Sequence, residues 1–253
     1  MRSWLPTTRS TRSMSIEDYA NLEKFGPPQP VNVFFLDYDP QRAAQAHCDK
    51  HVVKMILETA QLLSTAWHEL HNNLDPDEPG YIKGAFKRVV YSAVSGEEAM
   101  KRYAQPLAVG ESFGGHWELF GKRIYAATHA NHRSAVWARE LGGNYRWLWR
   151  LGMHLLDEYA FRYDKQHATR SVMWALERIP PAIEDTESEW SEAPPAMPPM
   201  FRVKDSSGAY YDSVASYRNY YVEAKKDLLR YTKRGLPDWM GIVNDSIVLK
   251  AAR

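Results

Sequence analysis

The chain has 253 residues, 44 % hydrophobic and 25 % charged, the proportions of a globular protein with core enough for one large domain or two small ones. A formal net charge of +1 excludes a global field that would draw in nucleic acid, so any such partner must meet a local patch. Cys48 is the single cysteine, which excludes an internal disulfide and a cysteine-based zinc cluster, and no apolar run approaches the ~18 residues of a membrane span. The chain reads as soluble and intracellular, with no membrane partner; its oligomeric state is not encoded in any recognisable pattern.

Residues 1–30 begin rich in Arg, Ser and Thr, carry no acid in their first 14 positions, and end in a Pro-rich run. They lack a clear amphipathic pattern and any apolar core of a secretory signal. The expectation is a flexible N-terminal extension, with Met14 as an alternative start. Val31-Asn-Val-Phe-Phe-Leu36 is then a short β-branched and aromatic run, read as one buried extended segment. Asp39-Pro40 supplies an N-cap and a first-turn proline behind it.

The stretch from His47 to about His71 is predicted to be one helix. Stepping each residue by about 100° places His47, His51, Lys54, Glu58, Gln61 and Thr65 in one stripe roughly 80° wide. Val52, Val53, Met55, Ile56, Leu57, Ala60, Leu62, Leu63, Trp67 and Leu70 cover most of the remaining circumference. A surface helix has the opposite balance. This helix is therefore expected to be mostly buried, with its thin polar stripe facing a cleft or a buried network. Ionisable groups in such a place must pair or do chemistry.

Asn72 to Gly80 is a loop by composition, and 81–110 reads as helical fragments broken near Gly96, Pro106 and Gly110. Glu111 to His116 is a glycine-containing loop without a phosphate-cradling pattern. Asn131 is expected to cap a long helix that runs to about Tyr163, kinked at Gly142-Gly143. Arg139, Arg146 and Arg150 share one stripe of it, either a solvated face or a row of phosphate contacts. Residues 179–200 form an acidic, Pro-rich linker or wrapping loop. A last helix is expected from Ser213 to about Arg234. The fold class expected is mainly α: a single helical domain over 31–253 with at most one short extended segment near its start.

Three constellations could carry chemistry. His51 and Glu58 lie two turns apart, about 10 Å along the axis, with Lys54 between them. A carboxylate beside a basic group in a water-poor cleft can act as general acid or base, or stabilise a cationic sugar, and a buried lysine can serve as an amine nucleophile. Alternatively His47, His51, His129 and His132 could hold a metal ion, although Asp49-Lys50 interrupts the HExxH pattern. Third, Tyr217, Arg218, Tyr220, Tyr221, Lys225, Lys226, Arg230, Tyr231, Lys233, Arg234 and Trp239 interleave cations with stacking surfaces, as either a nucleic-acid grip or an amphipathic helix face.

Asp49-x-His51 followed by Glu58 resembles the Asp-x-His…Glu stretch of the phage pyrimidine-dimer DNA glycosylase/AP-lyase family, the endonuclease V type. His132-Arg-Ser-Ala-Val-Trp137 is similar to a helix start in bacterial relatives, and the Tyr- and Lys-rich end to the family's aromatic-basic tail. Residues 31–240 as a whole also resemble a protein family common in phages and large DNA viruses. The resemblance implies an all-α fold, DNA as partner and no cofactor. It implies Glu58 as catalytic carboxylate with His51 and Lys54 assisting, and His132, Arg133, Arg139, Arg146, Tyr217, Arg218, Tyr221 and Lys225 as DNA contacts. The family's nucleophile is a free N-terminal α-amine. Here Val31 follows thirty residues, which leaves open a processed N-terminus, Lys54, or water activated by Glu58. The alternatives are a His-coordinated, metal-dependent nucleotide- or base-modifying enzyme and a non-catalytic nucleic-acid-binding module.

Overall fold

Val33, Phe35 and Leu36 are fully buried in an extended segment, as their β-branched and aromatic character predicts. The structure is a computed structural model that describes residues 31–71, 74–77, 81–90, 115–243 and 246–249; the expected extension over 1–30 lies outside them. Asp39 caps helix α1 (Pro40–Ala46), its Oδ1 accepting the N–H groups of Gln41 and Arg42 at 2.8 and 2.9 Å. The chain then breaks at His47, whose extended backbone ends α1, and helix α2 runs over Asp49–His71. His47 therefore stands outside the helix that is expected to carry it.

Around α2 the core is dense. Met55, Ile56, Leu62, Leu63 and Trp67 are fully buried, each contributing about 1.5–3 kcal/mol by its removal from water. Val53 and Leu57 break the expectation of burial all round, being 40 % and 38 % exposed. Helix α3 (Arg133–Glu140) and helix α4 (Gly142–Tyr163) pack on α2. Two helices thus replace the single kinked one, separated by Leu141 in an extended conformation, and His132 rather than Asn131 is the N-cap. The glycine pair has another role. A Cβ on Gly142 would lie 2.4 Å from the Ile183 carbonyl oxygen, and one on Gly143 2.1 Å from that of Glu189. The acidic, Pro-rich strap passes there, with one 3-10 helix at Pro181–Thr186 and another at Pro199–Phe201.

Three small antiparallel sheets overturn the mainly α expectation and make the architecture mixed. Strands β1 (Phe86–Val90), β2 (Gly115–Leu119) and β3 (Lys122–Ile124) form a meander; β1 replaces part of the helical fragments expected over 81–110, and the rest of that stretch lies outside the described residues. Phe86 pairs with Leu119, and β2 turns into β3 through Phe120-Gly121 with φ of 48° and 75°, the mirror-image turn that matches strand twist. Phe86 and Trp117 close over His68 at the end of α2, with ring centroids 4.6 and 4.7 Å away. A five-residue strand of alternating character is too short to declare itself against helical periodicity.

Helix α5 (Arg170–Ala175) lies against β3. Strands β4 (Val203–Lys204) and β5 (Tyr211–Asp212) form a two-residue ladder leading into helix α6 (Ser213–Ala224). That helix ends ten residues earlier than expected; the cationic tail continues irregularly to hairpin β6 (Met240–Val243) and β7 (Ser246–Leu249). Among the described residues no helix is long and apolar enough to cross a membrane.

An ionic knot ties the tail to the helices. The Arg162 side chain is fully buried and donates to Glu158 at 3.1 Å, Asp49 at 3.0 Å and the carbonyls of His47 and Gln45. Arg234 also grips Glu158, while Asp49 accepts the N–H and hydroxyl of Thr232 at 2.9 and 2.8 Å. Burying a guanidinium is tolerable only with its donors satisfied in this way.

Candidate active site

Glu58 sits at the middle of α2, 6 % exposed. Its Oε1 meets Lys54 Nζ at 2.8 Å, from one helical turn earlier. Its Oε2 accepts the backbone N–H of Asn32 at 3.1 Å. The Lys54 side chain is 56 % exposed, so the acid lies inside and the amine at the surface. Two nitrogen donors on opposite oxygens offset the cost of withdrawing a carboxylate from water and fix its plane.

The segment that reaches Glu58 is itself held at both ends. Asn32 Oδ1 accepts the N–H groups of Val33 and Phe34 at 2.8 and 3.2 Å, and its Nδ2 donates to the Ala196 carbonyl on the strap at 2.9 Å. Phe34 has φ of +48°, a left-handed conformation that costs a bulky residue on the order of 1–3 kcal/mol. Ring packing retains it there. Phe34 stacks on His51 with centroids 4.4 Å apart and meets Tyr221 edge-on at 5.2 Å.

The histidines of the stripe serve this packing. His51 Nδ1 shares a 2.5 Å hydrogen bond with the Tyr221 hydroxyl. Burial, then the charges of His47, Lys225 and Lys54, lowers its pKa to about 3, so the ring is neutral at physiological pH. Burial likewise lowers His47 to about 4; its Nδ1 donates to the Ala43 carbonyl at 2.7 Å. Thr65, at the far end of the stripe, is fully buried and bonds Thr128. Of the rest of the stripe, Lys54 is exposed, Gln61 half-buried, and Glu58 buried between them.

The four histidines of the alternative metal site have separate tasks. His129, with φ of 52°, bonds the Thr128 hydroxyl at 2.7 Å, and His132 Nδ1 accepts the Ser134 N–H at 3.2 Å as the α3 cap. Burial, with the charges of His129 and Arg133, lowers His132 to about 4. Asp49 is committed to Arg162 and Thr232. Among the described residues no three His, Cys, Asp or Glu side chains gather so as to hold a metal ion.

The expected DNA contacts divide in the same manner. Arg139 donates to the Ala130 carbonyl at 2.6 Å, and Arg146 to Glu187 and the Glu177 carbonyl at 2.8 Å each. Arg218 braces Leu36 and Asp37. Tyr217, fully buried, donates to the Pro194 carbonyl at 2.9 Å and accepts from the Ala196 N–H at 3.2 Å. Arg133 is half-buried, its charge felt by His132 and Tyr217. Lys225 lies 4.8 Å over the Tyr220 ring and acts electrostatically on His51, at the start of the stripe. Asn32 and Ala196 belong to this site yet carry no sequence signal, because they act through backbone atoms or through a partner 164 residues away. No family model, curated protein or solved structure matches the chain.

Proposed function

We propose that the chain is a DNA-acting enzyme, a pyrimidine-directed N-glycosylase with Glu58 as its catalytic carboxylate. The observation that carries this is a buried acid with a backbone nitrogen 3.1 Å from one oxygen and a lysine amine 2.8 Å from the other. A glycosidic bond breaks through a cationic sugar, and a fixed carboxylate stabilises that charge. The target nucleotide would leave the stack to reach it. Lys54 and Lys225 supply the positive charge that a flanking phosphate requires.

Lys54 is the amine already in place. After passing a proton to Glu58, its Nζ attacks deoxyribose C1′; the new C1′–N bond forms as the bond to the base breaks, and the base leaves with that electron pair and takes up a proton. Opening of the sugar ring then gives an imine. The Asn32 nitrogen is an amide and not nucleophilic, but hydrolysis of the Val31–Asn32 bond would convert it into an amine at the same oxygen. Water activated by Glu58 would instead cleave the base without any covalent adduct.

Incubation with UV-irradiated and abasic duplex in the presence of borohydride separates these routes. A trapped adduct mapped to Lys54 or to Asn32 identifies the amine, and cleavage without trapping identifies water. Glu58→Gln is expected to lower the rate at least ~100-fold, the scale of a lost acid–base group. Absence of cleavage on either substrate, with DNA binding retained in Glu58→Gln and stability reduced by a few kcal/mol as for a broken buried pair, would overturn the enzymatic reading in favour of a binding module.

A further inference from the structure

A cleft of about 360 Å³ opens between the tip of the β2–β3 turn and helix α5, lined by Leu119, Phe120, Lys122, Arg146, Trp174 and Arg178, with Ala175 and Glu177 also along it. Trp174 is 47 % exposed and Phe120 40 % exposed, two large rings left in water at one opening. The floor, Leu119 and Ala175, is buried and apolar.

The turn holding Phe120 is of the type that ordinarily takes Asn or Gly at that position, since φ is positive. A phenylalanine there puts a hydrophobic ring where turn chemistry asks for a small polar residue. Packing accounts for part of it, because the ring meets the edge of Trp67 at 5.9 Å. The Arg178 guanidinium also lies 5.5 Å from its ring centroid.

The cations are not all spent internally. Arg146 is held by Glu187 at 2.8 Å, whereas among the described residues Lys122 and Arg178 have no carboxylate partner. Lys122, Arg178 and Arg146 outnumber Glu177 and Glu187 around the opening. An apolar floor, two exposed rings and uncompensated positive charge at the mouth suit a planar base that carries a phosphate.

We infer that this cleft binds an unpaired nucleotide of a DNA strand, the base against Trp174 and Phe120 and its phosphate on Lys122 and Arg178. The inference rests on the DNA-directed reading above. Phe120 meets Trp67, nine residues beyond Glu58 on α2, which sets the cleft about 14 Å further along the helix axis and on the opposite side of the helix. A strand held at both sites would wrap around the helix.

Fluorescence anisotropy with labelled oligo-dT, and with an abasic oligomer of equal length, tests this on the Glu58→Gln protein. Oligo-dT is expected to bind more tightly than the abasic strand. Trp174→Ala and Phe120→Asn, the latter suited to the turn, should each weaken oligo-dT binding about five- to a hundredfold and leave the abasic strand unchanged. Lys122→Gln with Arg178→Gln should weaken both and make the salt slope shallower by ~0.7 for each phosphate no longer neutralised. Unchanged oligo-dT affinity in the two ring variants overturns the inference, as does an equal loss for both strands. Binding of free thymidine monophosphate as tight as that of the oligomer also overturns it, replacing a strand with a mononucleotide. The two proposals fail separately. Ring-dependent binding without cleavage by the unsubstituted chain removes the glycosylase and keeps the cleft; cleavage without ring-dependent binding does the reverse.

Discussion

At the scale of single residues, Glu58 is held from outside its own helix by Asn32 and from within it by Lys54. The side chain of Asn32 ties Val33, Phe34 and the strap together, and its main chain reaches the carboxylate. Asn32→Ala removes three hydrogen bonds at about 1 kcal/mol each. It is expected to lower stability by roughly 1–3 kcal/mol in urea unfolding and to reduce kcat with DNA binding little changed; an unchanged kcat would remove Asn32 from the positioning role. His132 offers a second test. Its folded pKa of about 4 lies below the ordinary 6.5, so its contribution is complete above pH 6.5 and is lost as pH falls toward 4. The span is worth on the order of 3 kcal/mol. His132→Asn keeps a capping oxygen without a titrating ring, and should leave stability at pH 7 nearly unchanged while flattening that slope. Glu58, Lys54 and His51 were legible because helical spacing alone aligns them. Asn32 was not, since nothing in a sequence says where a backbone N–H will point.

Among the elements, the strap and the glycine pair beneath it set the geometry. Gly143 lets the Glu189 carbonyl approach to within 2.1 Å of where a Cβ would stand, a backbone atom with no freedom to yield. Gly143→Ala should therefore cost about 1–3 kcal/mol by chemical denaturation and lower activity, because the same strap carries Ala196 to Asn32. Gly235→Ala is a built-in control: nothing lies within 4 Å of where its Cβ would stand. Equal losses in the two variants would count against the strap. Helices of ten or more residues were legible in outline, their ends less so. The expected kink at Gly142-Gly143 was a chain break because the pair answers to a tertiary contact and not to helix propensity. The short strands were missed for a similar reason: β1 and β2 are stabilised across a pairing and by rings over His68, neither of which is a local property.

For the molecule as a whole, the imidazoles point in one direction. His47, His51, His68, His132, His154 and His167 all have pKa values lowered by burial, so the unfolded chain binds protons that the folded one refuses. Stability is expected to rise with pH from about 3 to 6.5 and then level off on this account. Urea midpoints at pH 4 well below those at pH 7 would bear this out, and equal midpoints would contradict it. The mixed architecture was out of reach of periodicity, whereas the central position of α2 was not. The hydrogen bond between His51 and Tyr221 spans 170 positions, and the Asp49 carboxylate waits for Thr232. A ribosome that has made only the first two-thirds of this protein has thus released the long helix with its Asn32, Lys54 and Arg162 contacts, but not the tyrosine and threonine that close over its first turn. That first turn would take its final orientation only when synthesis is almost over, and a prematurely terminated product would lack it.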